Sequence, residues 1–73
     1  MNNASIVKHV VEQLVTDNLV VTKTDGELTK HSAQALGAAA TSLAIAMQKD
    51  RVKMFRHMRT LSLRLRLHMA ART

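Results

Sequence analysis

A chain of 73 residues makes one small domain at most, and with no cysteine it has no disulfide, zinc knuckle or thiol nucleophile to draw on. A fold this short buries roughly 60% of the surface its unfolded form exposes, so long helices, self-association or a partner must supply its stability. The net charge of +6 points to an anionic partner, while a single aromatic, Phe55, argues against the base-stacking platforms of single-strand binders and the aromatic anchors of interface hot spots.

The first element is an amphipathic helix over residues 4–16. Val7, Val10, Val11 and Leu14 recur at helical spacing, with Lys8, Glu12 and Gln13 on the other side. Ser5 or Asn3 is placed to cap its start. Its β-branched content means that packing rather than propensity must hold it. Nothing at the start has the form of a targeting signal, since Met1-Asn2-Asn3-Ala4 lacks a basic segment. A cytoplasmic protein is therefore expected.

Asp17 and Asn18 interrupt that pattern. Leu19-Val20-Val21-Thr22 is a short β-like run, and Asp25-Gly26 is a strong turn signal. Two readings stay open here. Either residues 19–22 are set against 27–29 in a mini-hairpin or irregular loop, or Thr24 and Glu27 form a capping box in a helix–loop–helix.

A second helix starts near Thr29 or Ser32 and runs through an alanine-rich stretch to Met47. Ala33, Gly37, Ala40 and Ala44 fall on one face, where small side chains let another helix come close. No proline or glycine separates this stretch from the tail, so one continuous helix over about residues 32–70, roughly 58 Å long, is an expectation of the sequence. Such a rod needs a partner helix. A heptad reading places Ala40, Met47, Met54 and Leu61 at one core position and Gly37, Ala44, Met58 and Leu65 at the other, with Arg51 and His68 breaking the series. These eight residues are the expected surface for self-association or a partner.

Residues 61–69 alternate as a strand does, yet they also satisfy a helix. Met54, Met58, Leu61, Leu65 and Met69 form one helical stripe, although Leu63 and Leu67 then fall among the cations. Leucine, arginine and methionine favour helix, and no β-branched residue occurs from Ser62 to Met69, so helix is preferred. The fold class is mainly α: an N-terminal helix, a turn or mini-hairpin near 19–29, and a long helical C-terminal half with a possible strand at 61–69.

Charge divides the chain into a near-neutral packing part and a basic arm. Residues 1–48 carry three lysines against four acids, a net of −1, whereas residues 49–73 carry eight cations against Asp50 alone, a net of +7. Six of the eight are arginines, the side chain that grips phosphate or carboxylate with two donors at once. Arg51, Lys53, Arg56, Arg59, Arg64 and Arg66 are the expected polyanion-binding residues. A solvated, solubilising helix face and a surface for an acidic protein are the competing readings.

Other chemistry finds little support. With Gly26 set at the sixth position of a calcium loop, Val21, Lys23 and Ser32 stand where oxygen ligands belong and Asp25 alone survives. His57 and His68 are three helical turns apart beside Met54 and Met58, which reads better as the polar edge of a core than as a soft-metal site. No nucleophile arrangement and no phosphate-cradling glycine loop occurs, so no enzyme and no cofactor is expected. An anionic membrane surface is a less favoured partner, because Phe55 alone could insert at the interface.

The sequence thus predicts a non-enzymatic binding protein that contacts nucleic acid through phosphates with little sequence specificity. The alternative is an assembly subunit or inhibitor, in the format of phage or plasmid accessory proteins, docking on a protein through its Leu/Met stripe. A homo-oligomer or a larger assembly is expected in either case.

Overall fold

The computed structural model describes residues 2–23 and 25–71. Three helices account for most of it: α1 (Asn3–Thr16), α2 (Lys30–Met47) and α3 (Arg51–Ala71). α3 packs against both other helices, and α1 and α2 touch each other far less. The start of α1 faces the start of α3 across one cleft, lined by Asn3, Ala4 and Val7 on one side and by Met54 and His57 on the other. Val15 and Thr16 face Leu65, His68 and Met69 at the opposite end. α1 and α3 are therefore parallel, and α2, which joins them in the chain, returns antiparallel along the other side of α3.

α1 begins where Asn2, rather than Asn3 or Ser5, accepts the Ser5 N–H through its side chain at 2.8 Å. Val7, Val11 and Val15, spaced by four, are its buried stripe. It ends in a Schellman turn. Asn18 takes the left-handed conformation (φ 59°), its N–H donates to the Val15 carbonyl, and the Leu19 N–H reaches back to Leu14. Asparagine tolerates that conformation better than most residues, which is why the pattern breaks at Asp17-Asn18.

The segment between α1 and α2 is the mini-hairpin, reduced to its minimum. One antiparallel bridge joins Thr22 to Leu28. The Lys23 N–H donates to Glu27 at 2.6 Å and the Thr29 N–H to Val21 at 3.3 Å. Gly26 turns the chain at φ 87°, a conformation that glycine adopts without penalty. The Asp25 carboxylate accepts the Glu27 N–H. Glu27 is thus a hairpin residue, and Thr24, its proposed capping partner, lies outside the described residues. Val20 is fully buried and seals this end of the core.

Thr29 caps α2 through its hydroxyl, which accepts the Ser32 N–H at 3.1 Å. Ser32, Leu36, Ala40 and Ala44 form the buried face.

The continuous rod of residues 32–70 does not form. α2 stops at Met47 in a second Schellman turn: Gln48 is left-handed (φ 54°), and the Lys49 N–H donates to the Ala44 carbonyl. Asp50 then opens α3, accepting the Val52 and Lys53 N–H groups at 2.8 and 3.1 Å. A left-handed glutamine followed by an aspartate cap does the work of the missing proline or glycine. Folding back lets the apolar faces of α2 and α3 meet each other, as an isolated rod could not.

Residues 61–69 are helical, inside α3. The strand reading fails because the alternate leucines divide: Leu61 and Leu65 pack on the core, whereas Leu67 is 69% exposed.

Candidate polyanion-binding face

All six expected cations lie on α3, a helix of 21 residues with no acidic residue along its length. Five of them are exposed and Arg66 is half-buried. The buried side of the helix, at Met54, Met58 and Ser62, fixes which way the rest must face. Arg56, Thr60, Leu63 and Leu67, spaced by four, three and four residues, occupy the outermost line, where all but the half-buried Leu63 are exposed. Lys53 and Arg64 lie on the α1 side, where Lys53 already lines the cleft with Asn3 and Val7. Arg59 and Arg66 continue the α2 side, where Arg51, Val52 and Phe55 border Gly37 and Thr41 of α2. The cations therefore spread over both flanks and the ridge of one helix. Arg72 lies outside the described residues.

Among the described residues, none of the six has its side chain tied up in a hydrogen bond or an ion pair. Asp50, the acid just before the helix, is already engaged. Its carboxyl is held below the usual carboxylate range, first by the Lys53 and Val52 backbone N–H groups that it accepts and then by the charges of Lys53 and Arg56. It caps the helix, and of the six cations it is Lys53 and Arg56 whose charges act on it.

The eight residues expected to meet a partner are placed differently. Ala40, Ala44, Met54 and Met58 are buried within the chain's own core, and Met47, Leu61 and Leu65 pack against it. Gly37 sits at the edge of the α2–α3 groove, and a Cβ built there would meet nothing within 4 Å. The Ala/Met face thus closes the bundle on itself. The apolar side chains that stay outside are others: Ile45 is 75% exposed and Val52 54%.

Sequence reading missed the two residues that set the direction of the basic face, Gln48 and Asp50. An aspartate just before a run of Arg and Lys was the available signal for a helix start. It also missed the cleft between the starts of α1 and α3, which gathers Lys49, Lys53 and His57 around an apolar floor of Ala4, Val7 and Met54. Among the described residues no group of three or more His, Asp or Glu side chains converges as a metal site, and no helix is long and apolar enough to cross a membrane.

Comparison with known proteins gives no match. No family model fits the chain, and neither a curated protein nor a solved structure is significantly similar to it. Function must therefore be argued from the face itself.

Proposed function

We propose that this chain is a non-enzymatic binding protein whose third helix holds a polyanion, nucleic acid before others, through its phosphates and with little sequence specificity. The observation that carries this reading is the set of six cations on one helix that holds no acid, none of them in an ion pair, with Asp50 at its start committed to capping. A solubilising surface usually mixes charges of both signs, and this one does not. Arginine predominates, and its fixed fork suits phosphate oxygens.

The test is a salt titration of binding to a labelled duplex and a labelled single strand. Engagement of five or six phosphates gives a log–log slope of about −4 to −6. Absence of binding near 50 mM salt would overturn the reading.

A second reading, an assembly subunit or inhibitor that docks on a protein, is favoured by one observation. Val52 stands exposed in the groove of Gly37, Thr41, Phe55 and Arg51, and Ile45 is exposed one turn past Thr41 on α2. An acidic partner with an apolar anchor fits there. Docking or self-association through Met58 and Leu65 would instead require the bundle to open. Under this second reading, a polar residue at Ile45 or Val52 abolishes partner capture and leaves polyanion affinity unchanged.

A further inference from the structure

Resting on the polyanion reading above, the arrangement of side chains around α3 specifies which polyanion. We propose that α3 enters the major groove of B-form DNA, with Arg56, Thr60 and Leu67 facing the base edges and the two cationic flanks reaching opposite strands.

The argument begins from widths. An α-helix with its side chains is about 10–12 Å across, and the B-form major groove is about 12 Å wide. The B-form minor groove, at about 6 Å, does not admit a helix, nor does the deep, narrow major groove of duplex RNA. The bundle also leaves the outer side of α3 free along its length, because α1 and α2 both pack on the opposite side.

The distribution of charge then distinguishes insertion from mere surface contact. A helix lying across a single backbone needs cations in one row. Here they form two rows, Lys53 and Arg64 towards α1 and Arg59 and Arg66 towards α2, separated by a ridge with different chemistry. Within each pair the residues are 11 and 7 positions apart, or roughly 16 and 10 Å along the axis, so each row spans more than one phosphate of its strand.

The ridge between the rows is suited to base edges rather than to phosphates. Leu67 is 69% exposed and lies one turn beyond Arg64, so it offers the ridge an apolar tip. Thr60 has its hydroxyl engaged with the Arg56 carbonyl at 3.0 Å, so what it offers a partner is its methyl group. Leucine and threonine methyls suit the thymine methyl in the major groove, and Arg56 suits the guanine edge. One polar reader on the ridge gives only slight base preference, in keeping with the weak sequence specificity proposed above.

The experiment measures affinity by fluorescence anisotropy for a mixed-sequence DNA duplex, its single strand and an RNA duplex of the same sequence, at matched salt. Insertion predicts at least tenfold tighter binding to duplex DNA than to either of the others. It also predicts that the pairs Lys53→Ala/Arg64→Ala and Arg59→Ala/Arg66→Ala each flatten the duplex salt slope, by about 2. Far-ultraviolet circular dichroism confirms that the variants stay folded. Should the second pair unfold because Arg66 is half-buried, Arg59→Ala alone carries the test, with a change of about 1 in slope. Equal affinity for all three nucleic acids overturns insertion and leaves the polyanion reading standing, as does a salt slope that responds to one flank only. Failure to bind any of the three near 50 mM salt overturns both.

Discussion

Two serines are buried in this bundle, and their hydroxyls have opposite fates. Ser32 accepts the Val21 N–H at 2.6 Å and lies 2.8 Å from the Thr29 hydroxyl, tying the mini-hairpin to the start of α2. Ser62, in the middle of α3, is fully buried and its Oγ has no partner. Thr41 and Thr60 bond back by one turn, to the Gly37 and Arg56 carbonyls, whereas the buried Ser62 hydroxyl does not. Leaving a buried hydroxyl unpaired costs about 1–3 kcal/mol, and alanine is also the better helix former by up to about 0.5 kcal/mol. Ser62→Ala should therefore stabilise the protein by about 1–3 kcal/mol. At roughly 4–8 °C per kcal/mol for a domain of this size, that raises Tm by at least about 4 °C. Ser32→Ala strands the Val21 N–H and should destabilise by a similar amount. Urea unfolding of both variants, with m unchanged from the parent, reads the two signs directly. A neutral or destabilising Ser62→Ala would show that the hydroxyl finds a partner in solution, and the reasoning would fail.

Two further predictions concern the turn that aims the basic face. Gln48→Gly should raise stability by about 0.5–1 kcal/mol, because a left-handed L-residue is strained by roughly 1–2 kcal/mol and glycine returns part of that as unfolded-state entropy. Denaturant titration beside Gln48→Ala checks it, and equal midpoints for the two variants would show that position 48 is unstrained. Because the Asp50 carboxyl is held low by the N–H groups it caps, its contribution is complete above the ordinary carboxylate pKa and is lost as pH falls through the lowered folded value. Asp50→Asn should therefore flatten the acid limb of stability against pH. An unchanged acid limb would place that dependence on other carboxylates.

The helices were legible because their signals are local. The valines of α1 and the alanines of α2 repeat at a helical period, and Leu, Arg and Met favoured helix over strand for the tail. Asp25-Gly26 marked the hairpin for the same reason. The break at 48–50 was hidden because its two causes are ordinary residues in special roles. A glutamine in the left-handed region has no sequence signature, and an aspartate reads as a cap only when the preceding helix is known to have ended. Missing that break turned an internal core into an apparent partner surface, since Met54 and Met58 look unpartnered until α3 folds back on α2. The cations could be located by composition, but their division into two flanks and a ridge depends on which side of α3 is buried.

The three-residue connection between α2 and α3 also bears on how the chain reaches its native state. Contacts between these two helices close a short loop, whereas Val7 must find Met54 and His57 across more than half of the chain. Loop-closure entropy grows with the length enclosed, and near contacts are expected to form before distant ones. The helical hairpin is thus the natural first unit and α1 its later addition. The side of α3 that carries the charge owes its direction to the early step, and docking of α1 stiffens a surface that has already been set.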